Sequence, residues 1–123
     1  MQENNHLAIR VMLLPKDTNA HGTIFGGAIL SQIDLAAAVE ARRHCRKRLV
    51  TVAMNEVVFR EPVHVGDIVS FYTRLERIGN TSITVAVDVQ AQRAADPDVV
   101  IAVTEAQVTY VAVDKDGKKS AVR

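Results

Sequence analysis

The sequence predicts an α+β fold, in which one antiparallel β-sheet is wrapped around a single long central α-helix. Three observations predict it. Only residues 26 to about 45 carry a helical apolar repeat, with Ile29, Ile33, Ala37 and Ala41 at helical spacing and Leu30 beside them. Beyond that helix the period changes to two. It is clearest where Ile83, Val85, Val87, Val89 and Ala91 alternate with Thr84, Ala86, Asp88, Gln90 and Gln92. Short turns join the strands that follow the helix, so these strands pair antiparallel, and the lone helix is left to cover one face of the sheet.

Each element has its own warrant. Residues 7–14 form an apolar, β-compatible run that Pro15 terminates, because proline cannot continue a ladder. Residues 16–25 read as a loop. Arg42, Arg43 and His44 fall in the last turn of the helix, where positive charge suits the negative dipole end. Residues 49–60 form a strand whose apolar phase falters at Asn55-Glu56, the mark of a bulge, and Pro62 and Gly66 close it. Residues 67–78 form the next strand, Gly79-Asn80-Thr81-Ser82 a turn, Asp96-Pro97-Asp98 another turn, and residues 99–113 a long last strand. A polar, lysine-bearing tail from about residue 114 is expected to be mobile. The whole of 1–123 reads as one domain.

Composition excludes several classes of function. With 48% hydrophobic and 24% charged residues the chain is globular, not disordered. A net charge of +1 gives no footprint for nucleic acid. One cysteine, Cys45, excludes an intrachain disulfide framework and suits a reducing, cytoplasmic setting. The first residues lack the charged and apolar regions of a signal peptide, and no apolar run is long enough to span a membrane. No His, Cys or Asp cluster has metal-ligand spacing, so no metal is expected. His21 reads as a solvated loop histidine, and His6, His44 and His64 show no partner pattern. Ser31 lacks the setting of a hydrolase nucleophile. The basic run 42–48 reads first as a solvated helix end, with a share in binding an anionic ligand as the alternative.

The informative stretch is 19–34. A polar loop passes through Gly26-Gly27 into the helix, and a carboxylate, Asp34, follows among Leu30, Leu35, Ala37 and Ala38. Burying an acid among apolar groups is costly, and adjacent glycines at a helix start cost backbone entropy. A segment that accepts both costs is a candidate site.

Asn19-x-x-Gly22-x-x-Phe25-Gly26-Gly27 followed by Ser31-x-x-Asp34 resembles the hotdog-fold acyl-CoA thioesterases, in particular their YciA-like branch among the cytosolic acyl-CoA hydrolases. The likeness extends over Phe59, Pro62-Val63, Val65-Gly66-Asp67, the turn 79–82, Thr104-Glu105-Ala106 and Tyr110 to Asp114. Where many relatives carry Asp this chain has Asn55, and Phe25 stands where a broader set of thioesterases has His.

The resemblance implies hydrolysis of acyl-CoA to a free fatty (carboxylic) acid and coenzyme A, with no cofactor beyond the coenzyme A of the substrate. The alternative is a non-catalytic acyl-CoA-binding or sensing domain on the same fold. A hydratase would want an Asp/His pair that this chain does not offer.

Asp34 is then the general base or nucleophile, and the N–H groups of Gly26 or Gly27 receive the thioester oxygen. Asn19 orients water or the thioester, and Phe25 lines the substrate site. Gly79, Thr81, Ser82, Arg77 and Arg60 are candidates for gripping the coenzyme's phosphates. Ala28 is a candidate for widening the acyl tunnel. Gly26 and Asp34 lie eight residues apart on one helix, roughly 12 Å along its axis. If both act on one carbonyl, two copies of the helix must share the site. The resemblance agrees, implying a dimer assembled further into a homohexamer.

Overall fold

The computed structural model describes residues 5–123. Its elements run β1 (His6–Met12), a 3-10 turn (Pro15–Asp17), α1 (Gly26–Ala41), β2 (Arg48–Phe59), β3 (Ile68–Ile78), β4 (Ser82–Gln92) and β5 (Val100–Val113). The five strands form one antiparallel sheet in the order β1-β3-β4-β5-β2. The α+β expectation holds, and each expected strand is found within a few residues of its expected ends. Among the described residues, no helix is long and apolar enough to cross a membrane.

The core lies between α1 and the sheet. The helix buries Ile29, Ile33, Ala36, Ala37 and Ala41 and lies mainly over β1, β3 and β4. Facing it are Phe71 of β3, Val85, Val87 and Val89 of β4, and Val103 and Val108 of β5, all fully buried. The helix is slim because its inner positions are alanines, which brings its backbone close to the strands.

The edge strand β2 pairs only with β5. Its register shifts between Asn55 and Val58, where Glu56 takes a φ of 53°, so the expected bulge is present. Val50, Val52, Val58 and Phe59 stay exposed along it. An exposed, apolar edge strand is a template for pairing with another chain.

Three expectations need correction. The helix stops at Ala41, so Arg42, Arg43 and His44 lie in a turn beyond it, not in its last turn. Beyond that turn Cys45 packs inward onto Ala112 and Val122 in a small second core. The tail is docked rather than mobile. The Ser120 N–H donates to Ala112 O at 2.8 Å, the Val122 N–H donates to Asn80 O at 2.9 Å, and Val122 is 4% exposed.

Third, the histidines are not all without partners. Glu40, 1% exposed, meets His6 Nδ1 at 2.9 Å and His44 Nε2 at 2.7 Å, and accepts from Thr73 Oγ1 at 3.1 Å. A carboxylate is buried only with such partners. Burial is the strongest single influence on this carboxyl and pushes it up. The hydrogen bonds with His44, Thr73 and His6 outweigh burial and hold it below the usual glutamate range.

Two predictions follow from these contacts. A lowered folded pKa means that Glu40 stabilises the fold above the usual glutamate range, and that this is lost as pH falls through the folded value. Thermal unfolding against pH is expected to show a shallower acid-side fall in Glu40→Gln than in the native protein; parallel curves contradict this. Val122→Asp is expected to lower unfolding free energy by roughly 2–4 kcal/mol in denaturant titrations, whereas a change within about 0.5 kcal/mol would mark the tail as undocked.

Candidate active site

Asp34 lies in the third turn of α1, beside the buried face and not on it. It is half-buried, its neighbour Leu35 is 57% exposed, and the fully buried carboxylate of this helix is Glu40. Two hydroxyls hold Asp34 from the sheet side. Thr51 Oγ1 of β2 donates to Asp34 Oδ1 at 2.9 Å. The Tyr110 hydroxyl of β5 lies 2.6 Å from Asp34 O and 3.0 Å from Oδ1. One phenolic proton serves one acceptor at a time. Burial first, and then the charge of Asp34, push the Tyr110 phenol above its ordinary range, so it remains a donor. Both hydroxyls address Oδ1, and no group among the described residues takes up Oδ2.

Tyr110 and Thr51 were not singled out as site residues from the sequence. A signal existed for Tyr110. It shares the inward phase of β5 with Ala106, Val108 and Ala112, and a buried phenol seeks an acceptor. Thr51 carries no such signal, because its partner comes from another element.

The start of α1 is built differently. Phe25 caps the helix with extended backbone and no side-chain cap. No acceptor among the described residues takes the N–H groups of Gly26 or Gly27, the vacancy expected of a helix start. The preceding loop turns at Gly22, where φ is 83°. Asn19 holds that loop: its Oδ1 accepts from His21 N at 2.8 Å and Thr23 N at 3.2 Å, and its Nδ2 donates to Thr23 Oγ1 at 3.0 Å. One Nδ2 proton remains for another acceptor. The loop is tied to the β2–β3 connection through Ile24 N–H to Val63 O at 2.8 Å. A cleft of about 300 Å³ opens here, lined by Ile24, Gly26, Ile29, Phe59, Arg60 and Val63, among others. A Cβ on Gly26 would meet the Phe59 ring at 3.5 Å. Phe25 is 57% exposed beside it.

The sheet register keeps the two halves apart. Asp34 sits over the row Ile83–Tyr110–Thr51, and Gly26 near the row Val89–Thr104–Phe59. From Tyr110 to Thr104 is six residue steps along β5, about 20 Å. One chain therefore does not bring Asp34 and Gly26 together.

The coenzyme-gripping candidates divide likewise. Gly79, Thr81 and Ser82 form the β3–β4 turn at the Asp34 end, and Arg77 precedes them, paired opposite Thr84. The Gly79 N–H donates to Ser82 O at 2.8 Å, and Thr81 O accepts from Ala112 N at 2.9 Å. Arg60 is at the Gly26 end, where it donates to Glu105 at 2.8 Å. Among the described residues no group of three His, Cys, Asp or Glu side chains is placed to hold a metal ion.

Comparison with known proteins draws these features together. Residues 21–98 match the model of the thioesterase superfamily. The chain is 41% identical to the acyl-CoA thioester hydrolase YciA of Salmonella typhimurium over 114 residues, 91% of this chain and 86% of that protein. A hexameric hotdog-fold thioesterase of Campylobacter jejuni superposes with a TM-score of 0.90 at 48% identity, covering 99% of this chain and 93% of that one. A hexameric thioesterase of Yersinia pestis gives 0.90 at 38%, covering 100% and 99%. An antiparallel sheet around one helix and a sequence match over most of its length agree: this chain belongs to the thioesterase superfamily and carries its hotdog fold.

Proposed function

We propose that this chain, read as one domain over 1–123, hydrolyses acyl-CoA thioesters to free carboxylic acids and coenzyme A. The observation that carries the chemistry is Asp34: one oxygen is held by Thr51 and Tyr110, and the other has no partner among the described residues. The relatives' activity supports the substrate class, since the Salmonella typhimurium relative is an acyl-CoA thioester hydrolase.

Oδ2 takes the proton of a water that attacks the thioester carbonyl, or attacks that carbon itself to give an anhydride that water then opens. In both routes the C–S bond breaks; in the first Oδ2 passes the water's proton to the departing sulfur, and in the second the coenzyme leaves as thiolate and takes its proton from the water that opens the anhydride. The developing oxyanion is received by the N–H of Gly26 or Gly27, which donates without a Cβ in the way. Asn19 acts mainly as a positioning residue for that loop, with one N–H to spare for water or substrate. The apolar cleft at Gly26 and Phe59, flanked by Phe25 and Ala28, takes the acyl group. This chemistry calls on no cofactor or metal.

The site is shared between two copies, with Asp34 of one facing Gly26 of the partner subunit. The exposed apolar row of β2, together with Leu35 and Val39 on the outer side of α1, supports that pairing. The hexameric relatives of Campylobacter jejuni and Yersinia pestis support a trimer of such dimers. A reducing cytoplasm suits a chain whose one cysteine is a buried thiol.

Assays of a panel of acyl-CoAs with free-thiol detection test this reading. Asp34→Asn is expected to lower kcat by about 10²–10⁴ while substrate still binds; near-native kcat overturns the assignment. Tyr110→Phe removes a donor to Asp34 and is expected to lower kcat by roughly tenfold with the KM little changed. An unaltered kcat there means that the phenol does not position the acid.

A further inference from the structure

The C-terminal end of α1 opens onto a second cleft, of about 490 Å³, that the proposed chemistry does not use. Arg42, Arg43, Arg46, Lys47 and Arg123 line it, with Val122 in its wall, and no acidic residue does so. A helix dipole is complemented by one or two cations in its last turn. Here the cations lie beyond the helix, and they gather in a protein whose net charge is only +1. Glu40, the acid of this end of the helix, is already taken by His6, His44 and Thr73, and Arg43 comes no nearer to it than 3.9 Å. Lys47 Nζ donates to Ser120 Oγ at 3.1 Å and to Ala121 O. Arg42, Arg46 and Arg123 form no ion pair among the described residues.

This cluster is built, not incidental to a loose surface. Val122 is buried against Cys45 and Ala112, and its N–H bonds Asn80 O, which fixes Arg123 beside the helix end. Like charges held together on a rigid frame repel one another and favour an anion between them.

Its position gives the anion an identity. Arg42 follows Asp34 by eight residues, about 12 Å along the helix direction. The cleft, the Gly79–Ser82 turn and Asp34 all lie at one end of the sheet, and Asn80 O links turn and tail. On the proposed pairing, a thioester at Asp34 would have the apolar cleft of the partner subunit on one side and this cationic cleft on the other. We infer that Arg42, Arg46 and Arg123 bind the phosphate-bearing nucleotide end of the acyl-CoA whose thioester meets Asp34 of the same chain. The inference rests on the proposed function and extends it to substrate recognition.

The test compares native protein with Arg42→Ala/Arg46→Ala and, as a milder variant, Arg46→Ala. Substrates are an acyl-CoA, the same acyl group on N-acetylcysteamine, which has no nucleotide, and the same acyl group on acyl carrier protein. Binding of coenzyme A is followed by calorimetry. The expected result is a KM for acyl-CoA and a Kd for coenzyme A raised about tenfold or more in the double variant. Both constants should lose their salt dependence, and the KM for the N-acetylcysteamine thioester should change less than twofold. Unchanged KM and Kd in both variants overturn the inference while leaving the hydrolase reading intact. A loss confined to the acyl-carrier-protein substrate also overturns it and assigns the cleft to a protein carrier. If the native protein hydrolyses no thioester the functional reading fails, and the coenzyme A titration still decides whether the cleft binds the nucleotide.

Discussion

A straight helix separates its first turn from its third, and the rest of the structure depends on that separation. α1 rises from unfilled N–H groups at Gly26 and Gly27 to a held carboxylate at Asp34, roughly 12 Å further on. The core forbids any bend that would close the gap, since Ile29, Ile33 and the alanines seat the helix along its whole length. Both groups suit one reaction, and neither reaches the other. The exposed apolar edge of β2 and the outer face of α1 are the surfaces that support the proposed pairing with a second copy.

Around this axis the chain divides its polarity. At the helix start the lining is mostly apolar, with Ile24, Ile29, Phe59, Pro62 and Val63, and Arg60, Glu61 and Thr104 join it. Past the helix end they are cationic: Arg42, Arg46, Lys47 and Arg123. The carboxylate lies between, steadied by Tyr110 and Thr51 from the sheet. An acyl thioester of coenzyme A is polarised in the same order, apolar tail, reactive carbonyl, then phosphates. In the proposed dimer the apolar cleft that meets Asp34 is the partner subunit's, so the ligand's order is matched across two chains and not along one.

Much of this was legible in the residues. The change of period after the helix gave the sheet, the faltering phase at Asn55-Glu56 gave the bulge, and the motif from Asn19 to Asp34 gave the residues of the proposed site. What could not be read was pairing between elements distant in the chain. Glu40 looks like any helix acid until His6 of β1 and Thr73 of β3 converge on it. Thr51 looks like any strand threonine until the helix lays Asp34 over it. The tail reads as polar because eight of its ten residues are exposed, yet Val122 anchors it. The basic run reads as a solvated helix end until Val122 and Arg123 return beside it. Each miss is a contact made by folding, with no local signal to announce it.

Subunit exchange tests the shared site most directly. Inactive Asp34→Ala protein is mixed with inactive Gly26→Val protein under conditions in which exchange is proven by differential tagging. A site assembled from two chains predicts that mixed dimers regain activity, because one of their two sites carries an intact Asp34 and an intact Gly26. Exchange without any recovered activity would contradict the account.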